Sequence, residues 1–299
     1  MELVKSILLL HLNLFIVGVV SKPTELTDHS SDLYNAGRTI TRNLGNPWEM
    51  SGQYQGDIKL SEGIKGRNVL RDGLWPNGII PYFIEEGFTE LEHVLILNAM
   101  ATWEGILSPR HINDGSCQIK FVPINEGQFS DYVYIFKGPD NECWSHIGPA
   151  GGEQRLSLGQ NCLYMGTILH ELGHTLGMAH QHAAHNRDNY VEIVWSNIIP
   201  NQTHNFEKKR FVDHTDFGLG YDYDSIMHYS SIAFAKQNEN GFPVGPTMVS
   251  KNQHKELPGY DIIRGSLSRI DKLKVELMYC KSATAVNADG SFSRLYALQ

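Results

Sequence analysis

Residues 170 to 180 read His170-Glu171-Leu172-Gly173-His174-Thr175-Leu176-Gly177-Met178-Ala179-His180, an H-E-x-x-H-x-x-G-x-x-H pattern led in by Ile168 and Leu169. Residues four apart on an α-helix lie one turn above each other, so His170 and His174 share a face and can grip one ion. Gly177 can adopt the left-handed conformation that ends a helix, which lets the chain swing back and deliver His180 from outside it. Three imidazoles leave a position open on zinc, the arrangement of a catalytic rather than a closed structural site. Glu171 follows the first histidine, where a carboxylate can serve as general base without being a ligand. Zinc lowers the pKa of a bound water to about 7 and polarises a carbonyl, so the reaction class is metal-assisted hydrolysis, a peptide bond being a feasible target. With 14 histidines in 299 residues, a bare H-E-x-x-H arises by chance in roughly one such chain in twenty-five, and the added glycine and third histidine take this below about one in a thousand. Leu169, Leu172 and Leu176 are left for the buried side of the helix.

Further along, Ser225-Ile226-Met227-His228-Tyr229, taken with the long histidine motif, resembles the Met-turn of the metzincin metallopeptidases. Its S-x-M-H-Y form resembles that of the astacin family. The resemblance implies one Zn2+ per chain held by His170, His174, His180 and Tyr229, with Met227 in the turn beneath the metal. It also implies that Glu171 and Tyr229 are catalytic, the tyrosine swinging off the metal to stabilise the oxyanion. Taken singly, Met227 reads better as a core side chain and Tyr229 as a buried phenol. The implied fold is α+β, zincin-like, with two lobes around an active-site cleft. The upper lobe would be a twisted, mostly parallel sheet with two long helices, and the lower one mostly irregular with a C-terminal helix.

In chain order, residues 1–21 carry Lys5, then an apolar run from Ile7 to Val20 broken by His11 and Asn13, then small residues. This reads as a secretory signal peptide, and the run is too short for a membrane anchor. A secreted, extracellular protein is expected. Residues 22–67 are polar and rich in Gly, Ser, Asn and Asp, without cysteine, and are either a plain linker or a propeptide. Tyr54-Gln55-Gly56-Asp57 is similar to the F-x-G-D zymogen switch of astacins, which implies that Asp57 takes the open zinc position. Lys65-Gly66-Arg67-Asn68 suits a trypsin-like activator cutting between Arg67 and Asn68.

Residues 68–281 have the composition of one globular catalytic domain, followed by a polar tail, 282–299. Ile79 to Phe83 reads as a strand. Thr89 with Glu92 is a capping box opening a helix to about Leu107, with Leu91, Val94, Leu95, Ala99, Trp103 and Ile106 as its apolar stripe. Cys117 to Phe121 and Tyr132 to Phe136 alternate as strands do. Between Cys143 and Cys162 a glycine-rich loop leads to an alternating strand ending at Leu158. The resemblance makes that strand the sheet edge that pairs with an extended substrate, an ordinary edge strand being the alternative. The stretch from Gln237 to Tyr260 is loop-like. Ser268 with Asp271 caps a last helix, with Ile270, Leu273, Leu277 and Met278 inward. The four cysteines allow three pairings in an oxidising compartment. The resemblance selects Cys117 with Cys280 and Cys143 with Cys162. Asn201-Gln202-Thr203 is a glycosylation sequon at Asn201.

The net charge of −8 gives no basic footprint for nucleic acid or an anionic membrane. Protein or peptide substrates, an activating protease and a monomeric state are the expectations. One departure stands out. After the third histidine the astacin family usually carries Glu, Arg and Asp where this chain has Gln181, Ala184 and Asn186, and that glutamate meets the N-terminal ammonium freed by cleavage. Gln181 lacks its charge, which puts activation by N-terminal burial in question. The rival reading is a zinc-stabilised, weakly active or inactive peptide-binding protein; the intact Glu171 argues against it.

Overall fold

The computed structural model describes residues 46–60, 74–107, 117–124, 129–209, 216–257, 265–280, 284–286 and 292–294. The expected signal peptide and the cleavage pair Arg67 and Asn68 lie outside the described residues.

Five strands make the main sheet: β1 (Ile79–Ile84), β2 (Lys120–Pro123), β3 (Tyr132–Phe136), β4 (Cys143–Trp144) and β5 (Glu153–Leu158). Their order is β2-β1-β3-β5-β4, parallel throughout except for the antiparallel β4/β5 pair. The edge is therefore β4, and the strand closing the Cys143–Cys162 loop, expected at the edge, is β5, one place further in. Two short antiparallel pairs follow, β6 (Val191–Ile193) with β7 (Met248–Ser250), and β8 (Thr284–Val286) with β9 (Phe292–Arg294). The region 237–260 thus contains a strand that no alternation announced, and the tail contains a hairpin.

Helix α1 (Glu90–Glu104) opens on the Thr89/Glu92 capping box, in which Thr89 N–H donates to Glu92 at 2.7 Å. Its buried face is Ile96, Ala99, Met100 and Trp103, whereas Leu91 and Val94 are 82% and 52% exposed. The stripe read from the sequence holds at Ala99 and Trp103, with Leu95 and Ile106 partly buried against the core, and fails at Leu91 and Val94. The middle of α1 is apolar almost all round, and the sheet rather than the periodicity selects the inward face. Trp103 Nε1 donates to the Leu169 carbonyl at 3.0 Å, tying α1 to α2 (Met165–Thr175), the motif helix. Helix α3 (Arg269–Tyr279) is capped by Ser268 and Asp271. It buries Asp271, Lys274 and Val275, while the expected Ile270, Leu273, Leu277 and Met278 are only partly buried, Leu277 against the core. A polar network selects that face.

Of the three pairings open to four cysteines, the structure holds Cys117–Cys280 and Cys143–Cys162, 163 and 19 residues apart. The first ties the end of α3 to the segment leading into β2. In the chain-entropy account the long loop contributes about 5 kcal/mol and the short one about 3 kcal/mol.

The core falls into two clusters. One lies between the sheet, α1 and α2 and includes Trp103, Leu169, Leu172 and Met227. The other gathers Phe206, Tyr229, Phe234 and Met248 around β6 and β7. Met227 belongs to the first and Tyr229 to the second, so the 225–229 turn is where the two cores meet.

Candidate active site

Helix α2 is buried along its whole length from Gly166 to Thr175. Its leucines take one side and its two histidines the other, as the i, i+4 spacing dictates. The helix can lie this close to the 225–229 turn because residue 173 is glycine: a Cβ there would sit 2.7 Å from Met227 Sδ and 3.3 Å from the Trp103 ring. Gly177 takes φ +106°, and the chain turns back to present His180.

The three imidazoles converge through Nε2. His174 Nε2 lies 3.2 Å and His170 Nε2 3.3 Å from His180 Nε2. Their outer nitrogens are spoken for: His170 Nδ1 bonds the Ile226 carbonyl and His174 Nδ1 the Met178 carbonyl, both at 2.8 Å. His180 Nδ1 bonds Gln55 Oε1 at 3.2 Å. An N–H facing each of these oxygens leaves a lone pair on every Nε2. Burial pulls the pKa of His180 down to about 3 and also lowers that of His170, so both rings are neutral.

Into this cluster comes Asp57. Its Oδ2 lies 2.8 Å from His170 Nε2, and its Oδ1 3.1 Å from His180 Nε2 and 3.5 Å from His174 Nε2. Asp57 is itself fully buried. Among the described residues these four form a group whose ligand atoms all lie within 4.8 Å of one another. Three lone pairs and a carboxylate, buried and facing one point, have too few protons to satisfy each other, and a divalent cation satisfies all four. Nitrogen ligands with one carboxylate oxygen form a donor set suited to one zinc ion.

Glu171, next in sequence to His170, is fully buried, and neither of its carboxylate oxygens has a hydrogen-bond partner among the described residues. Burial first, and then the Asp57 charge, hold its carboxyl well above the usual range. Tyr229 is buried with its ring 4.8 Å from that of His180, and its hydroxyl donates to the Gln55 carbonyl at 2.5 Å. The hydroxyl is thus engaged by segment 46–60.

That segment fills the site at several further points that the sequence did not suggest. Trp48, in a 3-10 turn at Pro47–Met50, stacks on His170 at 4.6 Å. Glu49 accepts from Ser230 N at 2.6 Å and Ser230 Oγ at 2.9 Å. Residues 57–59 lie along the free edge of β4, Ser145 N donating to the Asp57 carbonyl at 3.0 Å and Lys59 N to the Ser145 carbonyl at 2.9 Å. His182, which the motif spacing left unassigned, stacks on Tyr229 at 3.6 Å. None of these contacts is local in sequence, so no pattern could carry them. Asn201 lies apart, in an exposed turn at φ +68°.

A mixed, mostly parallel sheet and a helix whose two histidines converge with a third from beyond its end define the class: a zincin-type metalloprotein. Comparison with known proteins narrows it. The model of the Astacin peptidase family matches residues 68–280. Zinc metalloproteinase nas-8 of Steinernema carpocapsae is 36% identical over 239 residues, which is 76% of this chain and 51% of that protein. Zinc metalloproteinase nas-7 of Caenorhabditis elegans is 34% identical over 258 residues, 85% of this chain and 62% of that protein. Among solved structures, High choriolytic enzyme 1, a hatching enzyme zinc-protease from Oryzias latipes, matches with a TM-score of 0.54 and 29% identity, covering 74% of this chain and 92% of that one. The chain belongs to the astacin family. It spans 51% and 62% of the length of these two curated relatives. Among the described residues no helix is long and apolar enough to cross a membrane.

Proposed function

We propose that this chain is a secreted zinc endopeptidase made as a zymogen and acting on proteins or peptides. In this reading residues 1–21 are the signal peptide, 22–67 the propeptide, 68–281 the catalytic domain and 282–299 a tail. A trypsin-like protease cuts between Arg67 and Asn68, and Asn201 is open to glycosylation. One observation carries the proposal. The Asp57 carboxylate sits on three convergent imidazoles, beside a buried glutamate with no hydrogen-bond partner among the described residues and a tyrosine whose hydroxyl the same segment holds.

His170, His174 and His180 would hold the zinc, with Asp57 as a further ligand in the zymogen and Tyr229 in the mature protein. Zinc, when bound, lowers the pKa of a water and polarises the scissile carbonyl. The chain supplies the rest. Asp57 and Gln55 close the cleft until segment 46–60 is released. Departure of that segment also removes the Asp57 charge that helps to raise Glu171. Glu171 then takes the proton of the attacking water and returns it to the leaving amine. The freed Tyr229 hydroxyl donates to the oxyanion that develops on the carbonyl. The β4 edge at Ser145, paired with residues 57–59 in the zymogen, becomes available to an extended peptide.

The test is casein cleavage by the full chain before and after trypsin. Activity that arises only with cutting at Arg67 supports the reading. A full chain as active as the cut one would refute the zymogen.

A further inference from the structure

Lys274 is the strangest residue of α3: a lysine 6% exposed, on the inward face of a helix, far in sequence from any motif. A buried ammonium is costly unless it is paired and hydrogen-bonded, so its surroundings should show what holds it. Asp271, one turn earlier, and Asp222 are buried and attract it electrostatically. Its Nζ donates to Oε1 of Gln181, a side chain 1% exposed. Gln181 follows His180, and its backbone N–H donates to the Met227 carbonyl at 2.9 Å.

The carboxylates beside Lys274 are tied to the site as well. Asp271 accepts from Ser225 Oγ at 2.6 Å and from Ile226 N at 2.8 Å. The Ile226 carbonyl is the oxygen that His170 Nδ1 bonds. Asp222 accepts from Ser268 Oγ at 2.5 Å and Asp224 N at 3.1 Å, closing the network around the cap of α3. From one face of α3, then, one path runs to an imidazole, Asp271 through Ile226 to His170, and a second runs from Lys274 through Gln181 to the backbone beside His180.

The orientation of Gln181 strengthens the case. An ammonium has only protons to offer, so it can face the amide oxygen and not the amide nitrogen. The amide Nε2 is left buried without a hydrogen bond among the described residues. An unsatisfied buried donor carries a penalty of about 1–3 kcal/mol. The side chain is thus oriented by the cation rather than by its own satisfaction.

We propose that Lys274 is a positioning residue for the metal centre, its ammonium fixing Gln181 and through it the third histidine. The proposal rests on reading His180 as a zinc ligand. It means that the His180 segment is anchored from within the chain, already in the uncut protein, by a cation that cleavage does not create. Partners hydrogen-bonded directly to metal ligands contribute about 10–100-fold to metal affinity; Lys274 and Gln181 act on His180 through the backbone, so the low end, about 10-fold, is the expected effect.

The experiment compares the full chain with K274M, Q181A and the double variant. Zinc affinity is read by chelator competition and ligand geometry by the visible absorption of the cobalt-substituted proteins. Each single variant is expected to weaken zinc by about 10-fold and to shift the cobalt bands, and the double variant to be no worse than the weaker-binding single one, since both cut one path. Should K274M fail to fold, Q181A, which leaves Lys274 its two carboxylates, decides alone. Zinc affinity and cobalt bands unchanged in Q181A, or a lowered melting temperature as the only change in K274M, would overturn the proposal. A wild-type chain that binds no zinc would instead overturn the metal-centre reading itself.

Discussion

Replacing Glu49 with glutamine should alter the grip on segment 46–60 at alkaline pH and leave it nearly unchanged at acid pH. Glu49 is fully buried in the turn that carries Trp48 onto His170. Burial raises its pKa from 4.5 to about 7, against the opposing effect of four hydrogen bonds from Ser230 and Asn46. In an undocked segment the carboxyl regains its ordinary value. The folded pKa is the higher one, so the proton stabilises the docked state. That stabilisation is fully present below pH 4.5 and is lost as pH rises through about 7. A shift of this size corresponds to about 3 kcal/mol, of which some 2.5 kcal/mol, roughly 70-fold in the docking equilibrium, disappears between pH 5 and pH 8.

Glutamine mimics the protonated acid and does not titrate, so E49Q serves as the reference. Hydrogen exchange of peptides covering residues 46–60 in the zinc-loaded full chain reads the docking equilibrium directly. Comparing the two proteins at each pH cancels the intrinsic pH dependence of exchange. Protection in the wild type relative to E49Q should fall roughly 70-fold from pH 5 to pH 8. A ratio that is the same at both pH values would refute the argument, because Glu49 would then carry the same charge docked and undocked.

Two other predictions follow from the packing. Gly173→Ala adds a methyl 2.7 Å from Met227 Sδ, and the strain of about 1–3 kcal/mol should outweigh the roughly 1 kcal/mol gained in helix propensity. Urea unfolding should show a lower midpoint, and a more stable variant would contradict the close approach. Adding two residues before Asn68 of the chain cut at Arg67 should change casein cleavage little, since Gln181 already has a cation partner in Lys274; a large loss would show that a new N-terminus is needed after all.

The parts of this molecule that a sequence can reveal are those governed by local geometry. The spacing of His170, His174 and Gly177 fixes a helix and its end because each step is a property of one segment. The Thr89/Glu92 and Ser268/Asp271 boxes locate two helix starts for the same reason. What failed were choices made by neighbours. Leu91 and Val94 looked inward on a helix that is apolar nearly all round, and the sheet took the other side. The inward face of α3 is polar because Asp271 and Lys274 answer to Ser225, Ile226 and Gln181, residues from distant segments. Trp48 and Glu49 reach the site from more than a hundred residues away, and nothing in their own surroundings marks them.

The central claim is a zinc site whose base is Glu171, and the most direct test is casein cleavage by the chain beginning at Asn68 beside its Glu171→Gln variant, each with and without a zinc chelator and each assayed for bound zinc. General-base catalysis is worth about 10²–10⁴-fold, so the variant should keep its zinc and lose at least that much activity, while the chelator silences the wild type. A zinc-loaded wild type that cleaves nothing, or a zinc-loaded E171Q that cleaves as well as wild type, would contradict the account.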